Sequence, residues 1–183
     1  HTAERLSRAE GGEVAARGAF DVDGEARIGA CADRVFVSMR TDQSQDPERR
    51  RFEQIVDRYS NLGPAAGILS ALDEYPDADW LVLACDLPNI DKPTLEELLR
   101  HRGSAAPFVA YRSDFDGLPE PLCALYLDGS AAIIRAFVAD GLKCPRKMLI
   151  NSDTHLLDQP DPAALDNVNT PDDLVGSVLE AAS

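Results

Sequence analysis

An aspartate at the end of an apolar run is the residue of this chain best placed for chemistry. Asp86 follows the stretch WLVLA at residues 80–84, and Pro88 stands two positions later. An unbroken apolar run is typical of a central strand in a parallel sheet that is covered on both faces, and a proline cannot continue such a strand. Asp86 is therefore expected at the carboxyl end of a central strand, where open α/β sheets bind ligands. A carboxylate is costly there unless a cation pairs with it, and Mg²⁺ prefers carboxylate oxygen, so we predict that Asp86 binds a metal.

The alternative role for Asp86 is to cap the helix that follows, since aspartate is a common capping residue. Asp91 suits that role better, because it directly precedes Lys92 and Pro93 and proline is favoured in the first turn of a helix. We therefore favour metal binding by Asp86.

Three further segments are expected near the same edge of the sheet. Arg40 ends a predicted strand over residues 34–40, and Asp57 ends a second one over residues 54–57. The segment GPAAG at residues 63–67 precedes a helix predicted over residues 65–75. Its small residues leave the backbone accessible at a helix N-terminus, where the dipole favours a negatively charged ligand. The same residues also suit close packing of the helix on the sheet, and both interpretations stay open.

Two asparagines form the last candidate site. Asn167 and Asn169 alternate in a short extended segment before TPDD at residues 170–173, which is a strong helix start. Because they alternate, both amides are expected to point the same way, towards a ligand.

Alternating strands and helices predict an α/β sandwich with a mainly parallel sheet. The remaining strands are predicted over residues 106–111, 121–126 and, at the sheet edge, 154–158; the remaining helices are predicted over residues 93–102, 130–139 and 144–150. Arg146 and Lys147 are expected to be exposed at the start of the last helix. Residues 1–8 are interpreted as the end of an amphipathic helix, and residues 9–29 as a loop.

Composition excludes several classes of function. A length of 183 residues predicts one domain with a substantial core. The net charge of −14 argues against nucleic acid or an anionic membrane surface as the partner. No apolar run approaches the length of a membrane span, and the start shows no signal-peptide pattern. The four cysteines are far apart and form no C-x-x-C pair, so we expect buried thiols and a cytoplasmic location.

The order of these motifs resembles the molybdenum cofactor guanylyltransferase family, the MobA-like nucleotidyltransferases. The resemblance extends over about residues 35–174. It rests on the following segments: Asp57, GPAAGI at 63–68, ACDLP at 84–88, PLCALY at 121–126 and NVNTPDDL at 167–174.

The resemblance implies a Rossmann-like three-layer sandwich and a function. The expected enzyme depends on Mg²⁺ and transfers a nucleoside monophosphate from GTP, or in relatives CTP, to the phosphate of molybdopterin, releasing pyrophosphate. Implied partners are these substrates, other molybdenum cofactor assembly proteins and the acceptor molybdoenzyme.

The resemblance also implies a role for each candidate residue. Asp86 resembles the catalytic aspartate that binds the metal beside the triphosphate. Asn167 and Asn169 resemble the residues that bind the pterin. The nucleotide-binding set comprises Arg40, where the family often has asparagine, together with Asp57, Gly63, Pro64, Gly67 and Asp86.

One family feature has no match in this chain. The family opens with a glycine-rich loop that supplies an arginine and a lysine to the phosphates, and residues 1–29 contain no such motif. Because the chain does not begin with methionine, we expect that it is incomplete. We therefore predict one nucleotidyltransferase-like domain over residues 1–183, with residues 1–30 atypical. Two alternatives remain: a catalytically silent relative that binds a nucleotide or pterin, and a nucleotidyltransferase for another small phosphate acceptor.

Overall fold

A computed structural model of the chain describes residues 4–7, 15–17, 32, 34–44, 52–84 and 86–166. Its strands are β1 (Glu4–Ser7), β2 (Ala15–Arg17), β3 (Val35–Met39), β4 (Glu53–Val56), β5 (Trp80–Leu83), β6 (Phe108–Arg112), β7 (Pro119–Tyr126) and β8 (Thr154–Leu157). Its α-helices are α1 (Pro64–Glu74), α2 (Lys92–Arg100), α3 (Ser130–Ala139) and α4 (Pro145–Ile150). Short 3₁₀ helices lie at Thr41–Gln43 and Pro162–Leu165.

The eight strands form one sheet in the order β4-β3-β2-β1-β5-β7-β6-β8. The pairings place β2, β3, β4, β5, β6 and β8 in one direction, with β1 and β7 opposed to their neighbours. The predicted α/β sandwich with a mainly parallel sheet is therefore confirmed. The carboxyl ends of β3, β4, β5 and β6 consequently lie along one edge.

Both faces of the sheet are covered, which explains the unbroken apolar run before Asp86. Successive side chains of a strand point to opposite faces. Trp80 and Val82 of β5 pack in the core beneath α1, α3 and α4, whereas Leu81 and Leu83 pack in the core beneath α2. Each position therefore meets an apolar layer, as the sequence predicts for a central strand of a three-layer fold.

The start of α2 decides between the two aspartates that were candidates for capping it. The Asp91 carboxylate accepts a hydrogen bond of 2.9 Å from the backbone N–H of Thr94, and Asp91 is the N-cap residue of α2. The prediction that Asp91 caps this helix is confirmed, which leaves Asp86 available for another role.

The beginning of the chain differs from its predicted structure. Residues 4–7 form β1, which pairs antiparallel with β2 and with β5, so the predicted helix end is wrong. Part of the predicted loop is likewise the strand β2, which pairs with β1 and β3. The physical reason is tertiary: the backbone groups of β3 and β5 need partners, and strand pairing overrides the weak local preference of a short segment.

No helix in the described ranges combines the length and the apolar character that crossing a bilayer requires.

Candidate active site

Asp86 lies just beyond the carboxyl end of β5, at the mouth of a small cleft. The backbone N–H of Ala84 still pairs with the carbonyl of Leu122 at 2.7 Å, so β7 holds the chain up to this point. Asp86 is partly exposed and lines a cleft of about 180 Å³ together with Glu120, Cys123 and Arg146. The aspartate is thus neither buried in the apolar core nor far from a cavity.

Arg146 forms the ion pairs beside this cleft, and Asp86 takes part in none among the described residues. The Arg146 guanidinium donates to the Asp116 carboxylate at 3.0 Å and to the Glu120 carboxylate at 2.7 Å. The sequence pattern predicted only that Arg146 is exposed at a helix start. Its position in the cleft results from α4, whose buried Met148 and Leu149 fix the helix on the sheet. Arg146 is the functional candidate that sequence analysis missed, since its cleft partners are 26 to 30 residues away in sequence.

The donor set around Asp86 fits a magnesium ion held mainly by substrate. No group of three or more His, Cys, Asp or Glu side chains in the described ranges is arranged to hold a metal ion. Mg²⁺ does not need such a group, because it keeps several waters and is usually bound through one or two carboxylates plus substrate phosphates. A single accessible carboxylate in a cleft meets that requirement, and metal binding by Asp86 stays a prediction.

Four of the predicted nucleotide-binding residues line one larger cleft. Arg40, Asp57, Gly63 and Pro64 all contribute to a cavity of about 790 Å³ between the segment after β3 and the loop before α1. Gly67 differs: it is buried within α1, and the cleft wall includes Ala66 instead. Its burial favours the packing interpretation, and nucleotide contact by Gly67 stays a prediction.

Asp57 is held in place at the end of β4. Its backbone N–H donates to the Met39 carbonyl at 2.8 Å, and its carboxylate accepts a hydrogen bond of 3.2 Å from the hydroxyl of Ser38. Because Ser38 is buried, this second contact ties the carboxylate to the sheet and fixes its direction.

Arg40 brings a positive charge to the same cleft. Its guanidinium donates twice to the Asp42 carboxylate, at 3.0 and 2.9 Å. That hydrogen bond and the attraction of Asp42, with a smaller contribution from Asp57, raise the pKa of Arg40. Arg40 is therefore charged at neutral pH, and its guanidinium would have to leave Asp42 to fork onto a phosphate or a base edge.

The loop before α1 depends on an unusual backbone conformation at Gly63. Gly63 is the N-cap residue of α1, with φ 58° and ψ −138°, and Pro64 follows at the first helical position. The Gly63 carbonyl accepts the N–H of Ala66 at 3.0 Å, which closes the first turn. Residues other than glycine rarely adopt such dihedrals, so the loop shape depends on this glycine.

We predict that Gly63→Ala lowers the free energy of unfolding by about 1–3 kcal/mol. An added Cβ would meet nothing within 4 Å, so the loss arises from the backbone and not from a clash. Gly103→Ala is the matched control, since Gly103 also has open space but no positive φ, and it should leave stability unchanged or slightly higher. Urea denaturation measures both, and equal effects of the two substitutions would contradict the prediction.

Neighbouring clefts share lining residues along the carboxyl edge of the sheet, and we call this series of clefts the groove. A third cleft of about 470 Å³ shares Gly63 and Pro64 with the cleft of Arg40 and Asp57, and it shares Arg146 with the Asp86 cleft. A fourth, of about 250 Å³, shares Glu120, Arg146 and Leu165 with the Asp86 cleft. The Asp86 cleft therefore lies between the cleft of Arg40 and the fourth cleft in this series.

The predicted pterin-binding residues Asn167 and Asn169 lie outside the described residues. The chain is described up to Asp166, which lines the fourth cleft. A pterin-binding role for both asparagines stays a prediction.

Comparison with known proteins identifies the family. The profile described as the MobA-like NTP transferase domain matches residues 25–155. The chain belongs to the MobA-like NTP transferase family. The resemblance that the motifs indicated is thereby confirmed.

Relatives of this MobA-like NTP transferase chain carry related names. A molybdenum cofactor biosynthesis bifunctional protein of Synechocystis sp. is 33% identical over 141 residues, which cover 77% of this chain and 41% of that protein. A molybdenum cofactor guanylyltransferase of Ectopseudomonas mendocina is 32% identical over 120 residues, which cover 65% of this chain and 58% of that protein. The chain therefore spans about two fifths to three fifths of the length of these two relatives.

Solved structures support the fold of the MobA-like NTP transferase chain. The crystal structure of molybdopterin-guanine dinucleotide biosynthesis protein A from Archaeoglobus fulgidus matches with a TM-score of 0.66 at 22% identity, covering 80% of this chain and 78% of that one. A putative protein from Aquifex aeolicus matches with a TM-score of 0.56 at 19% identity, covering 66% of this chain and 63% of that one. The predicted Rossmann-like fold is confirmed.

Proposed function

We propose that this MobA-like NTP transferase chain transfers GMP from GTP to molybdopterin. An oxygen of the molybdopterin phosphate attacks the α-phosphorus, the bond between the α-phosphorus and the bridging oxygen of the β-phosphate breaks, and pyrophosphate leaves. The name of the Ectopseudomonas mendocina relative supports this reaction. The observation that carries the proposal is the series of clefts with shared lining residues, in which the Asp86 cleft lies between the cleft of Arg40 and Asp57 and the cleft of Asp166.

The roles of the nucleotide-side residues follow from their positions. Gly63 and Pro64 form the surface against which the nucleotide packs. The Asp57 carboxylate accepts hydrogen bonds from hydroxyl or amino groups of the nucleotide, and Arg40 contributes a positive charge. Gly67 supports that surface from within α1. Positioning of this kind provides much of the rate of phosphoryl-type transfers, because the protein has little covalent chemistry to perform.

Asp86 is the proposed metal ligand, and Mg²⁺ is the proposed ion. When bound, the ion offsets negative charge on the triphosphate and on the leaving pyrophosphate. The net charge of −14 makes such a local cation necessary, since the field of the protein otherwise repels GTP and the acceptor.

The acceptor is proposed to bind on the other side of Asp86. Asn167 and Asn169 present amides to the pterin, and Arg146 offers a guanidinium to the phosphate that attacks. Arg146 is held by ion pairs to Asp116 and Glu120, and of these two carboxylates Glu120 lines the Asp86 cleft; an acceptor phosphate would take the place of a carboxylate on the guanidinium.

The direct test is a transfer assay with the full chain. Incubation with Mg²⁺, molybdopterin and labelled GTP should yield the dinucleotide and pyrophosphate, CTP should react more slowly, and chelation of the metal should stop the reaction. No dinucleotide with any nucleotide would overturn the proposal.

A second candidate function is binding of a nucleotide or pterin without transfer. A catalytically silent relative would bind GTP or molybdopterin in the same groove without forming product. Equilibrium dialysis alongside the transfer assay distinguishes this candidate from an active transferase.

We also propose that the protein acts in the cytoplasm. Of the cysteines that the structure describes, Cys123 is buried and Cys144 is exposed, so the prediction of buried thiols is wrong for Cys144. Both thiols are free, which suits a reducing compartment. Partners beyond the two substrates, such as other cofactor assembly proteins or the acceptor molybdoenzyme, remain part of this proposal.

A further inference from the structure

Phe115 is exposed to a degree that is unusual for a large apolar side chain. Its relative exposure is 96%, whereas the other two exposed large apolar residues of the described ranges, Leu118 and Ile150, reach 40% and 44%. Burial of a phenylalanine is favourable in water, so a ligand with a flat apolar face would gain binding energy by covering this ring.

The loop that carries Phe115 is held firmly. The N–H of Gly117 donates to the Ser113 carbonyl at 2.8 Å, and the N–H of Ser113 donates to the Leu118 carbonyl at 2.8 Å. The Asp116 carboxylate accepts the N–H of Leu118 at 3.0 Å and the Arg146 guanidinium at 3.0 Å. These contacts fix the backbone on both sides of Phe115. A ligand that binds the ring therefore orders the loop little further, and the loss of conformational entropy is small.

The position of Phe115 connects it to the proposed active site. Phe115 lines the fourth cleft of the groove, which shares Glu120, Arg146 and Leu165 with the Asp86 cleft. Asp86 itself does not line the fourth cleft. A ligand that reaches Phe115 from Asp86 therefore passes Arg146.

The chemistry of this cleft suits a neutral aromatic ring with N–H donors. Asp114 and Asp166 line it beside Phe115, and their carboxylates accept hydrogen bonds from amino and ring N–H groups. The same carboxylates repel a phosphate. Phosphate is therefore expected on the Arg146 side and the ring on the Phe115 side.

We propose that Phe115 stacks on the pterin ring of the acceptor and determines how tightly the acceptor binds. This inference rests on the proposed function, in which the phosphate of the acceptor reacts beside Asp86. The acceptor carries its phosphate at one end and its fused ring at the other, which matches the two ends of the groove. Phe115 is thus a specificity-determining residue that contacts substrate away from the reacting atoms.

The experiment compares Phe115→Ala, Phe115→Tyr and the control Ile150→Ala in the full chain. Ile150 is an exposed apolar residue at the end of α4 that lines none of the clefts described above. Equilibrium dialysis measures the Kd of molybdopterin, and a separate titration measures the Kd of GTP. Thermal unfolding checks that each variant is folded. Because both positions are exposed, the substitutions should leave the fold intact.

Phe115→Ala should weaken molybdopterin binding about tenfold, because stacking of a flat ring on an aromatic side chain is lost. Phe115→Tyr should stay within about twofold, since it retains the aromatic face. Ile150→Ala should match the unchanged chain, and no variant should alter GTP binding.

Two results would overturn the inference alone: an unchanged Kd of molybdopterin in Phe115→Ala, or a loss in Phe115→Tyr as large as in Phe115→Ala. If the unchanged chain binds GTP but fails to bind molybdopterin, the proposed function fails together with the role of Phe115. The two kinds of failure are therefore distinguishable.

Discussion

Replacing Asp86 by asparagine is expected to lower the rate of GMP transfer by about 10²- to 10³-fold, the range typical for removal of one electrostatic stabiliser from an active site. Asparagine has nearly the same size but no charge, so it weakens metal binding without opening a cavity. Because Asp86 is partly exposed in a cleft and takes no part in the Arg146 ion pairs, its replacement should leave the free energy of unfolding nearly unchanged. Steady-state kinetics at saturating GTP and increasing Mg²⁺ measure the effect.

The control for this substitution is Asp153→Asn. Asp153 is an exposed aspartate in the turn between α4 and β8, outside the groove, and its replacement changes net charge by the same amount. It should keep full activity. If Asp86→Asn also kept full activity, or if both variants lost activity equally, the role assigned to Asp86 would be wrong.

The largest effect on stability is expected from Trp80→Ala, which should lower the free energy of unfolding by about 3–5 kcal/mol. Trp80 is only 1% exposed. Its ring centroid lies 5.9 Å from that of Phe36 and 5.9 Å from that of Tyr75. Truncation leaves a cavity at the first residue of β5, the strand that leads to Asp86, and the side chains around the cavity lose their contacts with the ring.

Trp80→Phe separates the packing of the ring from its polar group. The indole Nε1 of Trp80 is buried and has no hydrogen-bond partner among the described residues, and phenylalanine removes that unsatisfied donor while keeping much of the aromatic contact. Its cost should therefore be well below that of alanine. Trp80 is the single tryptophan of the chain, so unfolding is followed by circular dichroism. Equal losses in the two variants would contradict this account of the cluster.

Much of the fold could be predicted because its signals are local. The run at residues 80–84 is apolar on both faces of a strand, and β5 forms at Trp80–Leu83. The pair Asp91 and Pro93 marks a helix start, and Asp91 caps α2. In contrast, β1 at Glu4–Ser7 exists through its pairing with β2 and β5. No local pattern shows such a pairing, which explains why a helix was predicted there.

The candidate site was predictable to the extent that strand ends define it. Arg40 and Asp57 follow neighbouring parallel strands, and the structure brings both into one cleft with Gly63. Arg146 could not be predicted, because its position depends on how α4 packs on the sheet. The small size of Gly67 suits both a ligand contact and packing of the helix on the sheet, and the sequence alone does not distinguish these roles. In the structure Gly67 is buried.

The most direct test of the central claim, that Asp86 holds a divalent ion against the triphosphate, is a crystal structure of the protein with Mn²⁺ and a non-hydrolysable GTP analogue. Anomalous scattering locates manganese independently of the protein coordinates. We predict a peak about 2.1 Å from an Asp86 carboxylate oxygen and in contact with the analogue's phosphates. Manganese bound to the phosphates at another position, with the Asp86 carboxylate outside its coordination sphere, would contradict the account.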